Sequence, residues 1–207
     1  MFVRRERATG RRPSSDEMTS QMIESDGLTG PWYPEAISEP LSFATEQRFE
    51  PVPDGQESST DVFRAAIFMS PLDVHVNRSP LAASIERMEH RTGRGRRRGP
   101  FLPAMKKESE HNERVRTVLL GEDDLRVEVL QISGALARTI VPWMGVGDEL
   151  RRGQRFGMIR LGSRVDIRVP AKLFYPVVES AESGNPDLPK GQFVQAGSTI
   201  LFRNVGE

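Results

Sequence analysis

Leu161-Gly162-Ser163-Arg164 sets a serine hydroxyl beside a glycine in the middle of a regular alternation of side chains. The first chemistry such a pair suggests is acyl transfer, with serine as the nucleophile. The nucleophile-elbow order G-x-S-x-G is missing here, which argues against a hydrolase. No phosphate-binding loop or dinucleotide fingerprint is present, and there is no cysteine. The three histidines, His75, His90 and His111, are too widely spaced to form a metal set. Taken alone, a glycine inside a strand marks a bulge or a place where another group must approach the backbone.

The elements that must position this pair read as strands. In GMIRLGSRVDIR, Ile159, Leu161, Val165 and Ile167 fall on one face and Arg160, Arg164 and Arg168 on the other, the period-2 pattern of one half-buried strand. The folded texture starts near Val62 with VFRAAIFMS, followed by the turn-strand-turn PLDVHVNRSP. ERVRTVLL and LRVEVLQIS, joined by GEDD, make a hairpin. GALARTIVPW continues as a strand or short helix, and FYPVVES and GQFVQAGSTILF supply two further short strands. These signals predict an α+β, mainly β fold of antiparallel sheets in a single compact domain over residues 61–207. Residues 1–60, rich in Ser, Glu, Asp, Pro and Gly, read as a poorly ordered N-terminal extension.

Composition narrows the function. Lysine plus arginine number 29 and aspartate plus glutamate 29, so no global field argues for nucleic acid. The absence of cysteine excludes disulfides and thiolate chemistry. The basic N-terminus has no apolar stretch of the signal-peptide kind, and the longest apolar region, 132–147, is too short and polar to span a bilayer. RTGRGRRRGP, residues 91–100, carries five arginines and reads as an exposed loop.

Five blocks in order resemble the short-form phosphatidylserine decarboxylases: IFMSPLDVHVNRSP, GPFLPA, SEHNER, QISGALARTIV and GQRFGMIRLGSRVDIRVP. VQAGSTIL looks like the family's terminal strand, and the resemblance runs over roughly residues 62–203. It implies a self-processing, pyruvoyl-dependent enzyme that converts phosphatidylserine to phosphatidylethanolamine and carbon dioxide. In that chemistry Ser163 Oγ attacks the Gly162 carbonyl, the amide becomes an ester, and elimination cuts the chain. The dehydroalanine left at position 163 hydrolyses to an N-terminal pyruvoyl group, which forms a Schiff base with the substrate amine. Lacking Cβ, Gly162 tolerates the backbone geometry this needs. The two products, 1–162 and 163–207, are expected to stay together as a heterodimer.

The resemblance also assigns His75, in Asp-Val-His-Val-Asn-Arg, to proton transfer near the pyruvoyl group. Longer relatives carry a second histidine three positions on, where Arg78 stands here. Their relay aspartate falls in a P-A-D-G segment whose nearest match is Pro53-Asp54-Gly55, which makes Asp54 a candidate. Arg78, Arg114, Arg138 and Arg164 are candidates for holding a phosphodiester or carboxylate, each equally readable as an ion-pair residue. Asn112-Glu113-Arg114 reads as a turn that caps backbone groups. The arginine loop, helped by Phe101, Leu102 or Trp143, suits peripheral attachment to an anionic membrane surface on the cytoplasmic side. No metal and no nucleic acid are expected. Gly197-Ser198 is a competing cut, set aside because it would release only a short stub. The alternative function is a noncatalytic, membrane-binding β module derived from such an enzyme.

Overall fold

The computed structural model describes residues 1–8, 49–91, 112–134, 139–160, 162–178 and 191–206. Its strands are β1 Phe2–Ala8, β2 Phe49–Pro51, β3 Val62–Met69, β4 Val76–Arg78, β5 Ala83–Arg91, β6 Arg114–Leu120, β7 Arg126–Ile132, β8 Ile140–Pro142, β9 Glu149–Leu150, β10 Arg155–Ile159, β11 Ser163–Pro170, β12 Phe174–Pro176 and β13 Phe202–Asn204. An eight-stranded antiparallel sheet runs β2-β1-β3-β11-β7-β6-β5-β9, beside a three-stranded sheet β4-β10-β8 and a β12-β13 pair. Among the described residues the only helical turn is the 3-10 turn Glu122–Asp124, which closes the expected hairpin between β6 and β7. The mainly β, antiparallel expectation is met.

The core lies on one face of the large sheet. Val165, Ile167 and Val169 of β11 pack with Val127 and Val129 of β7 and Val115 and Leu119 of β6, and Ile140, Phe156 and Ile159 of the small sheet close over them. Each such buried side chain contributes about 1.5–3 kcal/mol. The odd-numbered residues of β11 make this face because side chains alternate along a strand.

The even-numbered residues of β11 are buried too, which corrects the half-buried expectation. An ion-pair row crosses five strands on that side. Arg164 meets Asp166 at 2.9 Å, Arg64 bridges Asp166 at 3.2 Å and Glu6 at 3.1 Å, and Arg168 reaches Glu6 at 3.4 Å and Glu128 at 2.5 Å. Arg116 of β6 completes the row on Glu128 at 3.3 Å. Neutralised in this way, charged side chains are accommodated where isolated ones would not be.

Two further expectations are corrected. Residues 2–8 and 49–51, assigned by composition to a loose extension, are strands of the main sheet, with β1 paired to both β2 and β3. Their charges hid this, since Glu6 belongs to the buried ion row. In the stretch taken as a terminal strand, 196–198 form a turn, and β13 begins only at Phe202.

Candidate functional site

The stretch read as one continuous strand is two. β10 ends at Ile159 in the small sheet and β11 begins at Ser163 in the large one, so the chain changes sheets across 160–162. Gly162 makes the change possible with φ of +68°, a left-handed conformation that suits glycine and strains other residues. The glycine therefore serves a crossing between sheets rather than a bulge within one.

Ser163 heads β11, paired with Met69 at the end of β3, and is 1% exposed. Among the described residues its hydroxyl has one weak contact, to Met69 Sδ at 4.0 Å, and no strong hydrogen bond that would hold it away from its own main chain. On the carbonyl side of the bond, Gly134 follows β7 and passes directly against Gly162. A Cβ built on Gly134 would lie 1.7 Å from the Gly162 oxygen and 2.8 Å from its carbonyl carbon. Only a residue without a side chain fits there.

The SEHNER block explains how Gly134 is held. Asn112 Nδ2 donates to the Ser133 carbonyl at 2.9 Å, and the Ser133 amide donates to the Glu113 carbonyl at 2.9 Å. Glu113 Oε1 accepts from the Ile140 amide at 3.1 Å and lies 2.8 Å from His90 Nε2. Asn112 and Glu113 thus fix the chain on both sides of 135–138, the backbone-capping role expected of them. Gly134 itself was missed: its glycine lay inside a quoted block, but nothing local marks a contact with Gly162.

His75 approaches from the other side. The Ile159 amide donates to the His75 carbonyl at 3.1 Å, which aligns the start of β4 with the end of β10. The Gly162 amide donates to His75 Nε2 at 2.8 Å, and His75 Nδ1 lies 2.7 Å from the Asp73 carbonyl oxygen. An amide only donates and a carbonyl only accepts, so the two contacts together require the neutral ring protonated at Nδ1. The loop is braced by Asp73, whose carboxylate accepts from the Ser70 amide at 2.6 Å; that bond holds the Asp73 carboxyl below its ordinary pKa. Pro71 Cγ would be 3.9 Å from a Cβ on Gly162, so the loop 70–75 forms one wall over the Gly162–Ser163 bond.

The other predicted residues are placed elsewhere. Asp54 is exposed in the turn before β3, at the Val62 end, whereas Ser163 pairs with the Met69 end. The length of β3, roughly 20 Å, separates its two ends, so the structure does not bring Asp54 to Ser163. Arg164 is 3% exposed and engaged with Asp166. Arg78 donates to the Gly153 carbonyl at 2.8 Å and packs along Gly197. Arg114 is half-buried at the start of β6, and Arg138 lies outside the described residues, as do Phe101, Leu102 and residues 92–100 of the arginine loop. Trp143 is half exposed, but its amide donates to the Phe156 carbonyl, at the far end of β10 from Gly162. Gly197 also has a positive φ, +81°, yet Ser198 sits in an exposed turn bonded to Gln195. No group of three or more potential metal ligands occurs among the described residues, and no described helix is long and apolar enough to cross a membrane.

Residues 37–202 match the family described as phosphatidylserine decarboxylase. The chain is 43% identical over 161 residues to the phosphatidylserine decarboxylase proenzyme of Thermobifida fusca (strain YX), a match covering 76% of this chain and 62% of that one. It is 44% identical over 142 residues to the proenzyme of the same name from Streptomyces coelicolor, covering 68% and 56%. A putative archaetidylserine decarboxylase proenzyme of Methanococcoides burtonii is 41% identical over 117 residues, covering 56% and 53%. The chain spans 53% to 62% of the length of these relatives. No solved structure matches.

Proposed function

Because this chain belongs to the phosphatidylserine decarboxylase family, we propose that it cuts its own backbone between Gly162 and Ser163 and, once matured, converts phosphatidylserine to phosphatidylethanolamine. The observation that carries the proposal is the packing of the Gly162 carbonyl against Gly134, with the Ser163 hydroxyl on the other side of the same peptide bond and only weakly engaged.

In maturation Ser163 Oγ adds to the Gly162 carbonyl carbon, its proton passes to the departing Ser163 nitrogen, and the amide becomes an ester. Loss of the Ser163 Cα proton expels Gly162 as a carboxylate and leaves dehydroalanine at position 163. Water then replaces the nitrogen, which leaves as ammonia, and a pyruvoyl ketone remains at the head of β11. The residues fit this group: Ser163, which would carry it, is enclosed at the head of β11, and Gly162 takes the left-handed turn without strain. When joined to the amine of a serine headgroup, such a ketone supplies the electron sink that pyridoxal supplies elsewhere. His75 Nε2 accepts a hydrogen bond in the precursor, so in turnover it would first take up a proton and then hand it to the carbon that loses carbon dioxide.

The cleavage products remain one body. β11 stays hydrogen-bonded between β3 and β7, both in the large fragment, along most of its length. The relatives are named as decarboxylases of phosphatidylserine and of archaetidylserine, two lipids whose names have serine in common, which supports recognition of a serine head. The protein then works as a peripheral protein at an anionic membrane surface.

The test is incubation of purified protein with detergent-dispersed phosphatidylserine and, separately, free serine. Release of carbon dioxide from the lipid alone, abolished by hydroxylamine, is the expected result. Release from free serine alone contradicts the lipid substrate, and an uncut protein that binds vesicles without turnover leaves only a membrane-binding β module.

A further inference from the structure

The wall over the Gly162–Ser163 bond has an outer side. Along 70–75, Pro71 and His75 face Gly162, while Leu72 is 98% exposed and Val74 64% exposed. Leu72 is the most exposed large apolar side chain in the described part of the molecule. Asp73, between the two, turns its carboxylate back onto the Ser70 amide, and the same loop bonds its own backbone through the Asp73 amide and Ser70 carbonyl at 3.0 Å. The apolar pair is therefore presented on a braced turn. Arg160, two residues before Gly162, is exposed on the segment that crosses between the sheets.

We propose that the 70–75 turn is the membrane-docking element of the site, with Leu72 and Val74 entering the headgroup region of an anionic bilayer. The assignment rests on the lipid-substrate reading above. A double-chain lipid cannot leave its bilayer cheaply, because each methylene exposed to water is unfavourable. The bilayer must therefore come to the reacting atoms, and among the described residues this turn is a surface that walls them. Two apolar side chains on the outer side of a turn whose ends, Pro71 and His75, face Gly162 suit shallow insertion, and an exposed guanidinium nearby suits an anionic headgroup. Trp143, the membrane-contact candidate from the sequence that lies among the described residues, is at the wrong end of β10.

Because the chain has no cysteine, Leu72→Cys provides a single thiol for an environment-sensitive dye. Vesicles of phosphatidylcholine and phosphatidylglycerol, neither of them the proposed substrate, are expected to shift the emission to the blue and raise it severalfold. No change with these vesicles overturns the assignment, whether or not the protein sediments with them. The double variant Leu72→Ser/Val74→Ser is expected to cut itself to the wild-type extent and to decarboxylate water-soluble dihexanoyl phosphatidylserine within twofold of wild type, while losing at least tenfold on long-chain phosphatidylserine in vesicles. Equal activity on vesicles overturns the assignment. Should neither lipid be turned over by wild type, the activity proposal fails, and the dye on non-substrate vesicles still decides the docking element.

Discussion

The Gly162 amide donates to His75 Nε2 at 2.8 Å, which ties the residue on the carbonyl side of the proposed cut to the imidazole assigned to catalysis. His75 thus positions the precursor before it has anything to decarboxylate. Replacing it with phenylalanine removes the acceptor, a loss of about 1 kcal/mol, and is expected to slow self-cleavage about fivefold. His75→Gln restores an acceptor and is expected to recover part of the rate while leaving decarboxylation impaired. Time courses of cleavage on gels check both; equal rates in all three proteins contradict the positioning role.

Gly134→Ala places a methyl where the Gly162 carbonyl now sits. The carbonyl must move, since overpacking of this kind costs about 1–3 kcal/mol even where neighbours yield. The variant is expected to accumulate as uncut precursor, with cleavage slowed at least tenfold and melting lowered by several degrees. Circular dichroism establishes that the fold persists. A folded variant that cuts at the wild-type rate contradicts the close approach.

Glu6 tests whether β1 belongs to the domain. Burial alone would raise its carboxyl, but Arg168, Arg64 and Arg4 outweigh that and hold its pKa below the ordinary value. A carboxyl depressed in the folded state stabilises the fold at pH values above its ordinary pKa, and this contribution fades as pH falls toward the depressed value. Glu6→Gln leaves Arg64 and Arg168 short of a counter-charge and is expected to cost about 3–5 kcal/mol at neutral pH. Urea unfolding is expected to show the gap between variant and wild type narrowing in acid. A variant as stable as wild type at neutral pH contradicts an integral β1.

Much of this is legible in the sequence. The β6–β7 hairpin follows from two β-rich runs and an acidic turn, and the Gly162-Ser163 pair and His75, far apart in sequence, do meet. What escaped was non-local. Ile159 and Leu161 keep the same face as Val165 and Ile167 across Gly162-Ser163, yet a strand that changes sheets alternates as well as one that does not. FVRRERA looks like a solvated tail until Arg64 and Arg168 are known to lie beside Glu6. Gly134 carries no local mark of its contact with Gly162, and Asp54 matched a motif while its place before β3 put it at the far end of the sheet.

The most direct measurement is the intact mass of freshly expressed protein, beside Ser163→Ala and Ser198→Ala. The expected result is two fragments, one ending at Gly162 and one beginning with a pyruvoyl group at position 163, in wild type and Ser198→Ala, and a single full-length chain in Ser163→Ala. An uncut wild-type chain, or a fragment beginning at 198, contradicts the account.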